Sequence, residues 1–290
     1  MTDGALQDLG MPTSTELIEA HASWLRSRYA ENTVDDARRF LLRLDRELPY
    51  GLPTALFDEL ETWLDQNPAW SAQTRETYRL HIRRFFKWGT RPAAPRLSAD
   101  PSLGLERYNV PRGIPRPATD AQVRWCVVEA AMPWRVFCTM TAYAGIRPFE
   151  VARIAQAPHD YITEQATAII RGKGGKSRIV PTHPDLWAAI RDLPNQPIAT
   201  RRDGRPIDPD WVSKNTAQYL RNHSPWHHGL SLYNLRHWYG TEVQEAAGDS
   251  RVTQEAMGHA SLTSTQVYTL ITNSRLRAAI TSLPSFTDRG

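Results

Sequence analysis

Apolar positions along the first hundred residues recur at helical spacing. After Ser14, the residues Leu17, Ile18, Trp24 and Leu25 fall three, four or seven apart. A second run from Val34 carries Ala37, Phe40, Leu41 and Leu44, and stops near Pro49 and Gly51. A third extends from about Pro53 to Asn67, with Leu56, Phe57, Leu60, Trp63 and Leu64, and ends at Pro68. The fourth, from Ser71 to about Trp88, has two stripes. Tyr78, Ile82, Phe85 and Phe86 form an apolar one, and Arg75, Arg79, Arg83 and Lys87 repeat every four residues beside it. Like charges four apart repel on an isolated helix. A solvated outer face is the ordinary reading of such a row. With Glu76 as the one acid nearby and aromatics anchoring the helix, the pattern instead predicts contact with an external polyanion.

The texture changes after residue 106. Arg107 to Pro117 holds three prolines and a glycine, which excludes a regular helix or strand. A linker over 107–116 follows from it. Beyond it, Thr119 and Asp120 supply a helix start, and a helical stretch runs from about Trp134 to Tyr143. Gly145 then stops one helix and Pro148 suits the first turn of the next, so Arg147 projects from a tight junction beside a helix N-terminus. Ala166 to Ile170 and Ile179–Val180 flank a glycine-rich turn, which reads as a β-hairpin with Arg171, Lys173, Lys176 and Arg178 at its tip. The segment GKGGKS is not a nucleotide-binding loop: its spacing is wrong, and a strand rather than a helix follows. Further on, Tyr233 and Arg236 share a face of a predicted helix.

Composition narrows the classes. At 290 residues with 41% hydrophobic and 23% charged residues, the chain reads as folded and of two domains. The net charge is only +4, but its distribution is uneven. Residues 1–110 carry 14 basic and 16 acidic side chains; the remainder carries 21 and 15. Two cysteines, Cys126 and Cys138, are too few for a disulfide framework or a thiolate zinc site. The nine histidines form no metal-ligand spacing, so no metal and no cofactor is expected. Neither a membrane span nor a secretory signal is visible, and a cytoplasmic location is expected.

Four boxes in order resemble the tyrosine recombinases of the phage integrase family, and the resemblance covers nearly the whole chain. AGIRPFEV is similar to the box of the first catalytic arginine, which implies that role for Arg147 and a supporting one for Glu150. IIRGKGGKSRIVPT resembles the hairpin carrying the catalytic lysine, here Lys173. YNLRHWYGT implies Arg236 as the second arginine. MGHASLTSTQVYT resembles the box that ends in the nucleophile, implying His259 and Tyr268; the spacings of 23 and nine residues from Arg236 to His259 to Tyr268 fit the family. The fourth N-terminal helix, with Thr74, Tyr78, Phe85, Phe86 and Trp88, resembles the family's core-binding domain. One position departs: Tyr233 stands where the family usually has histidine or lysine. A phenol can donate a hydrogen bond to phosphate, but it has no positive charge and shuttles protons poorly near neutral pH.

The chemistry of these residue types agrees. A tyrosine ester conserves the energy of a broken phosphodiester, but the phenol, with an ordinary pKa of about 10, ionises only with cationic help. Two arginines bind the non-bridging oxygens in planar geometry, and a lysine can protonate the departing 5′ oxygen. The resemblance implies a mainly α fold with a small β-sheet and a two-domain C-shaped clamp. Its parts are a helical, SAM-like core-binding domain over 11–106 and a catalytic domain with a C-terminal tail over 117–290. It further implies double-stranded DNA with specific core sites as partner, a homo-tetramer passing through a Holliday junction, and a tail whose Leu276, Ala279, Ile280 and Leu283 dock on a neighbouring subunit. It leaves room for an accessory directionality protein. Only about ten residues precede the first helix, which predicts a simple phage or mobile-element integrase without an arm-binding domain. Three alternatives stay open: a non-catalytic DNA-binding relative, a type IB topoisomerase-like enzyme, and a helical interaction scaffold.

Overall fold

The computed structural model describes residues 12–111, 116–164, 167–171, 177–227, 229–257 and 274–286. The chain divides into two compact units, 1–113 and 114–290.

In unit 1, α1 (Ser14–Arg26) starts at Thr13, whose hydroxyl accepts from the Glu16 amide while Glu16 accepts from the Thr13 amide at 2.8 Å. α2 (Glu31–Glu47) follows, then a 3-10 turn at Leu52–Thr54 and α3 (Phe57–Asp65). The third helix thus begins four residues later than its apolar spacing suggests, because Pro53 is taken up by the 3-10 turn. α4 (Ala72–Gly89) is capped by Ser71, whose hydroxyl accepts from the Thr74 amide at 3.1 Å. The apolar faces of the four helices meet in a core that includes Ile18, Leu41, Leu60, Trp63, Phe85 and Phe86.

Unit 2 is built around α6 (Trp134–Ala144), buried continuously from Val136 to Ala144 and therefore a central helix rather than an amphipathic one. Before it, α5 (Asp120–Arg124) continues into a π-helical turn at Trp125–Glu129. After it come α7 (Pro148–Ile154) and a three-stranded antiparallel sheet in the order β1 (Ile162–Thr163), β2 (Thr167–Arg171), β3 (Ser177–Pro181). β2 and β3 are the hairpin read from the sequence. β1 is too short at two residues to leave a periodic signal, and pairs Ile162 with Ala168. α8 (Pro184–Ile190), α9 (Pro209–His223), α10 (Leu232–Ala247), α11 (Ser250–Met257) and α12 (Ser274–Thr281) complete the described elements. The fold is mainly α with one small sheet, as expected.

The C-terminal segment corrects one expectation. Leu276, Ala279, Ile280 and Leu283 are all buried within their own chain, with α12 packed on α10. The Tyr143 hydroxyl donates to the Pro284 carbonyl at 3.1 Å, and the Ser285 hydroxyl lies 2.9 Å from the Asp185 carboxylate. The apolar face read as a surface for a neighbouring subunit is used in cis. Burying it at once removes that area from water without waiting for a partner.

Candidate active site

The site grows from the end of α6. Gly145 closes that helix at φ +56°, its amide donating to the Thr141 carbonyl at 3.0 Å. A Cβ there would lie 2.5 Å from Cδ1 and Cε1 of Tyr239 on α10, so both the turn and the ring's approach require glycine. Two residues later Arg147 caps α7, and Pro148 occupies the first helical position, where its missing N–H costs nothing. Glu150, 1% exposed, sits in the first turn. Its Oε2 accepts from the Arg147 amide at 2.8 Å, and its Oε1 lies 3.5 Å from Arg147 Nη1. One carboxylate thus holds the arginine by backbone and side chain together, while about a quarter of the side chain stays exposed.

Arg236 comes from α10. Leu232, Leu235, Trp238, Tyr239 and Val243 of that helix fill the core, and Arg236, only 6% exposed, is drawn in with them. Its Nη1 donates to the Gly145 carbonyl and its Nη2 to the Met257 carbonyl at 2.6 Å. Arg147 Nη2 reaches that Met257 oxygen too, at 3.4 Å. Two guanidinium groups from different helices therefore converge on one oxygen acceptor at the end of α11. Neither this backbone acceptor nor the Tyr239–Gly145 contact was visible in the sequence; the glycine itself was the only hint. Tyr233, three residues before Arg236, is 57% exposed, and His237 is exposed as well.

Lys173, Lys176, His259 and Tyr268 lie outside the described residues. Arg171 and Arg178 are placed by backbone alone, on β2 opposite Ser177 and on β3 opposite Ile170.

The basic row of α4 behaves differently from its sequence reading. Arg79 is buried at 4% exposure, paired to Glu76 through Nε at 2.8 Å and Nη2 at 2.7 Å, with Nη1 on the Leu105 carbonyl. That pairing holds the Glu76 carboxyl below its usual range, against the opposing effect of burial. Arg83 Nη1 donates to the Ser102 and Leu103 carbonyls at 2.8 and 3.0 Å, and Arg75 pairs with Asp65 at 3.3 Å. Only Lys87 of the row is exposed. Three of the four charges tie the returning segment 100–108 and the α3 end onto α4. The acceptors are mostly backbone carbonyls and carboxylates distant in sequence, which periodicity cannot reveal.

Among the described residues no cluster of three or more histidine, cysteine or acidic side chains is arranged to hold a metal. Cys126 and Cys138 are both buried free thiols; the hydrogen bond between them, and burial, push the Cys138 thiol well up. No described helix is long and apolar enough to cross a membrane.

The model of the phage integrase family matches residues 126–275. The tyrosine recombinase XerD of Ralstonia nicotianae is 29% identical, over 96% of this chain and 97% of its own. Among solved structures, the integrase of mycobacterium phage Brujita has 24% identity and a TM-score of 0.50, covering 91% of each chain. The lambda integrase bound to DNA superposes with a TM-score of 0.67 at 14% identity, covering 87% of this chain and 93% of that one.

Proposed function

The chain belongs to the phage integrase family, and from that premise we propose that it is a site-specific tyrosine recombinase working through Tyr268 with the Arg147–Arg236 pair as its phosphate clamp. The convergence of both guanidinium groups on the Met257 carbonyl carries this reading. Two fixed, planar donors that reach one oxygen locus are what a phosphoryl group developing negative charge on its non-bridging oxygens requires. Glu150 supports the reading as a positioning residue, since it holds Arg147 from behind and is too buried to meet substrate.

In the proposed reaction the Tyr268 oxygen attacks the scissile phosphorus and gives up its proton to solvent. A 3′-phosphotyrosyl bond forms as the bond from phosphorus to the 5′ oxygen breaks, and Lys173 protonates that leaving oxygen. His259 and Tyr233 donate hydrogen bonds to phosphate oxygens. The freed 5′-hydroxyl then attacks the phosphotyrosyl bond of a partner strand, so no external energy source enters. Rejoining between two sites places four copies of the chain on a Holliday junction; a crystallised lambda integrase tetramer bound to such a junction is a relative of matching fold. DNA-contacting roles for the hairpin residues Arg171, Lys176 and Arg178, and for Lys87, belong to the same reading.

A nicked suicide duplex tests it. Wild type is expected to accumulate a covalent adduct resolvable on a denaturing gel, and Tyr268→Phe none. An adduct that persists in the variant would overturn the nucleophile assignment. Wild type that binds DNA without forming an adduct would favour the non-catalytic alternative, to which the uncharged Tyr233 lends some weight.

A further inference from the structure

Two sets of arginines stand out in unit 1. Arg26, Arg38, Arg39, Arg43, Arg75 and Arg79 each pair with a carboxylate. Arg28, Arg84, Arg91 and Arg96 appear in none of the described ion pairs. They are laid over aromatic rings where the end of α1 meets the end of α4 and the segment after it. Arg28 lies 4.3 Å from the Trp24 ring centroid, Arg96 4.9 Å from that of Trp88, and Arg91 5.6 and 5.8 Å from the two indoles. Arg84 lies 5.0 Å over Tyr29 close by. A guanidinium held over a ring face is attracted by the ring while its N–H groups stay available to other acceptors. Arg28 spends donors on the Trp24 carbonyl and Ser27 hydroxyl, and Arg96 one on the Ala94 carbonyl.

A second, independent observation lies beneath them. The indole nitrogens of Trp24 and Trp88 and Nε of Arg91 are buried with no hydrogen-bond partner. So are both ring nitrogens of His21, 1% exposed, whose ring centroid is 5.9 Å from that of Trp24 and 5.2 Å from that of Trp88. Buried donors ordinarily find an acceptor, and here the unsatisfied groups are chiefly donors gathered under uncompensated positive charge. The guanidinium N–H groups above them can only donate, so the ligand that matches this surface is an acceptor-rich anion.

We propose that Arg28, Arg91 and Arg96, seated on Trp24 and Trp88, form a phosphate seat through which unit 1 grips the backbone of duplex DNA. This rests on the recombinase reading above and moves the main backbone contact of unit 1 away from the α4 row of Arg75, Arg79 and Arg83, which already donate to Asp65, Glu76 and the carbonyls of Asn67, Ser102, Leu103 and Leu105. Duplex phosphate is the occupant chosen over an acidic peptide because the recombinase reading already sets a duplex against unit 1, and phosphates recurring along a strand can engage several guanidinium groups at once.

The test uses the full chain, a fluorescein-labelled duplex and anisotropy over a series of salt concentrations. Arg91→Gln/Arg96→Gln is expected to weaken binding about tenfold and flatten the salt slope by about two, while the charge-matched control Arg39→Gln/Arg46→Gln, at exposed positions on α2, stays near wild type. Thermal melts accompany each variant. Should the double variant not fold, Arg96→Gln alone, at an exposed loop position, is expected to flatten the slope by about one. Wild type that binds and forms the covalent adduct, alongside an unchanged variant, overturns the seat and leaves the recombinase reading standing. Equal losses in variant and control overturn it too, as a mere net-charge effect. An acidic peptide competing for the seat while duplex affinity stays intact would give the surface to a protein partner and overturn the proposal. Wild type that neither binds nor forms an adduct overturns the recombinase reading, and the seat with it.

Discussion

Arg147 and Arg236 donate to one and the same acceptor, the Met257 carbonyl oxygen, at 3.4 and 2.6 Å. They arrive there by different routes. Arg147 is set by a glycine-terminated helix and a carboxylate behind it; Arg236 is carried in on a core helix and braced by the Gly145 carbonyl. The junction after α6 therefore serves both residues, supplying the turn for one and a backbone acceptor for the other.

If this pair is the phosphate clamp, lysine is a poor replacement at either position, because a point charge cannot reproduce the planar fork. Arg147→Lys and Arg236→Lys are expected to slow adduct formation roughly 100- to 1,000-fold. Single-turnover cleavage of the nicked duplex measures this, and near-wild-type rates in both variants would remove the clamp from the mechanism. Glu150→Gln is the gentler change. Its amide oxygen can still accept from the Arg147 amide, so duplex affinity should hold while the cleavage rate falls about tenfold through misplaced geometry.

Gly145→Ala should be costly to stability and activity together. The residue would face a left-handed backbone and a methyl 2.5 Å from the Tyr239 ring. A loss of about 2 kcal/mol or more is expected from urea denaturation, with cleavage reduced beyond what the lost folded fraction explains. A variant as stable as wild type would mean that the α6–α10 contact relaxes freely.

Packing of α12 in cis makes a concentration-dependent prediction. Leu276→Ala and Ile280→Ala each truncate a fully buried side chain, and each is expected to cost about 2–5 kcal/mol. The loss should be the same at low and high protein concentration. A penalty that appears only at high concentration would mean that the helix is buried against another copy.

Acid should weaken unit 1 before it reaches the carboxylates. His21 and His81 are both held down to about 4, by burial first and then by neighbouring positive charge, that of Arg84 acting on both. Their unfolded forms protonate near the ordinary 6.5, so the unfolded chain binds more protons as pH falls through that value. Stability is complete above about 6.5, declines down to about 4 and is then flat with respect to these groups. His21 alone accounts for about 3 kcal/mol across that window. Urea midpoints at pH 7 and pH 4.5 measure it, and His21→Gln should shrink the difference.

Much of this protein was legible in one dimension. Periodicity located α1, α2 and α4, because an amphipathic helix writes its buried face at intervals of three and four. Glycine and proline marked the junction at Arg147, since only particular residues tolerate a left-handed turn or a first helical position. Four ordered boxes carried the family and the catalytic candidates. What the sequence could not determine is where each charge is spent. A row of arginines on α4 looks like an outward-facing stripe until Glu76, Asp65 and the carbonyls of Ser102, Leu103 and Leu105 close over it. Arg28, Arg91 and Arg96 look scattered until two indoles gather them. A guanidinium's role depends on the acceptors within about 3 Å of it. Those acceptors are backbone atoms and distant side chains that only the tertiary structure brings near.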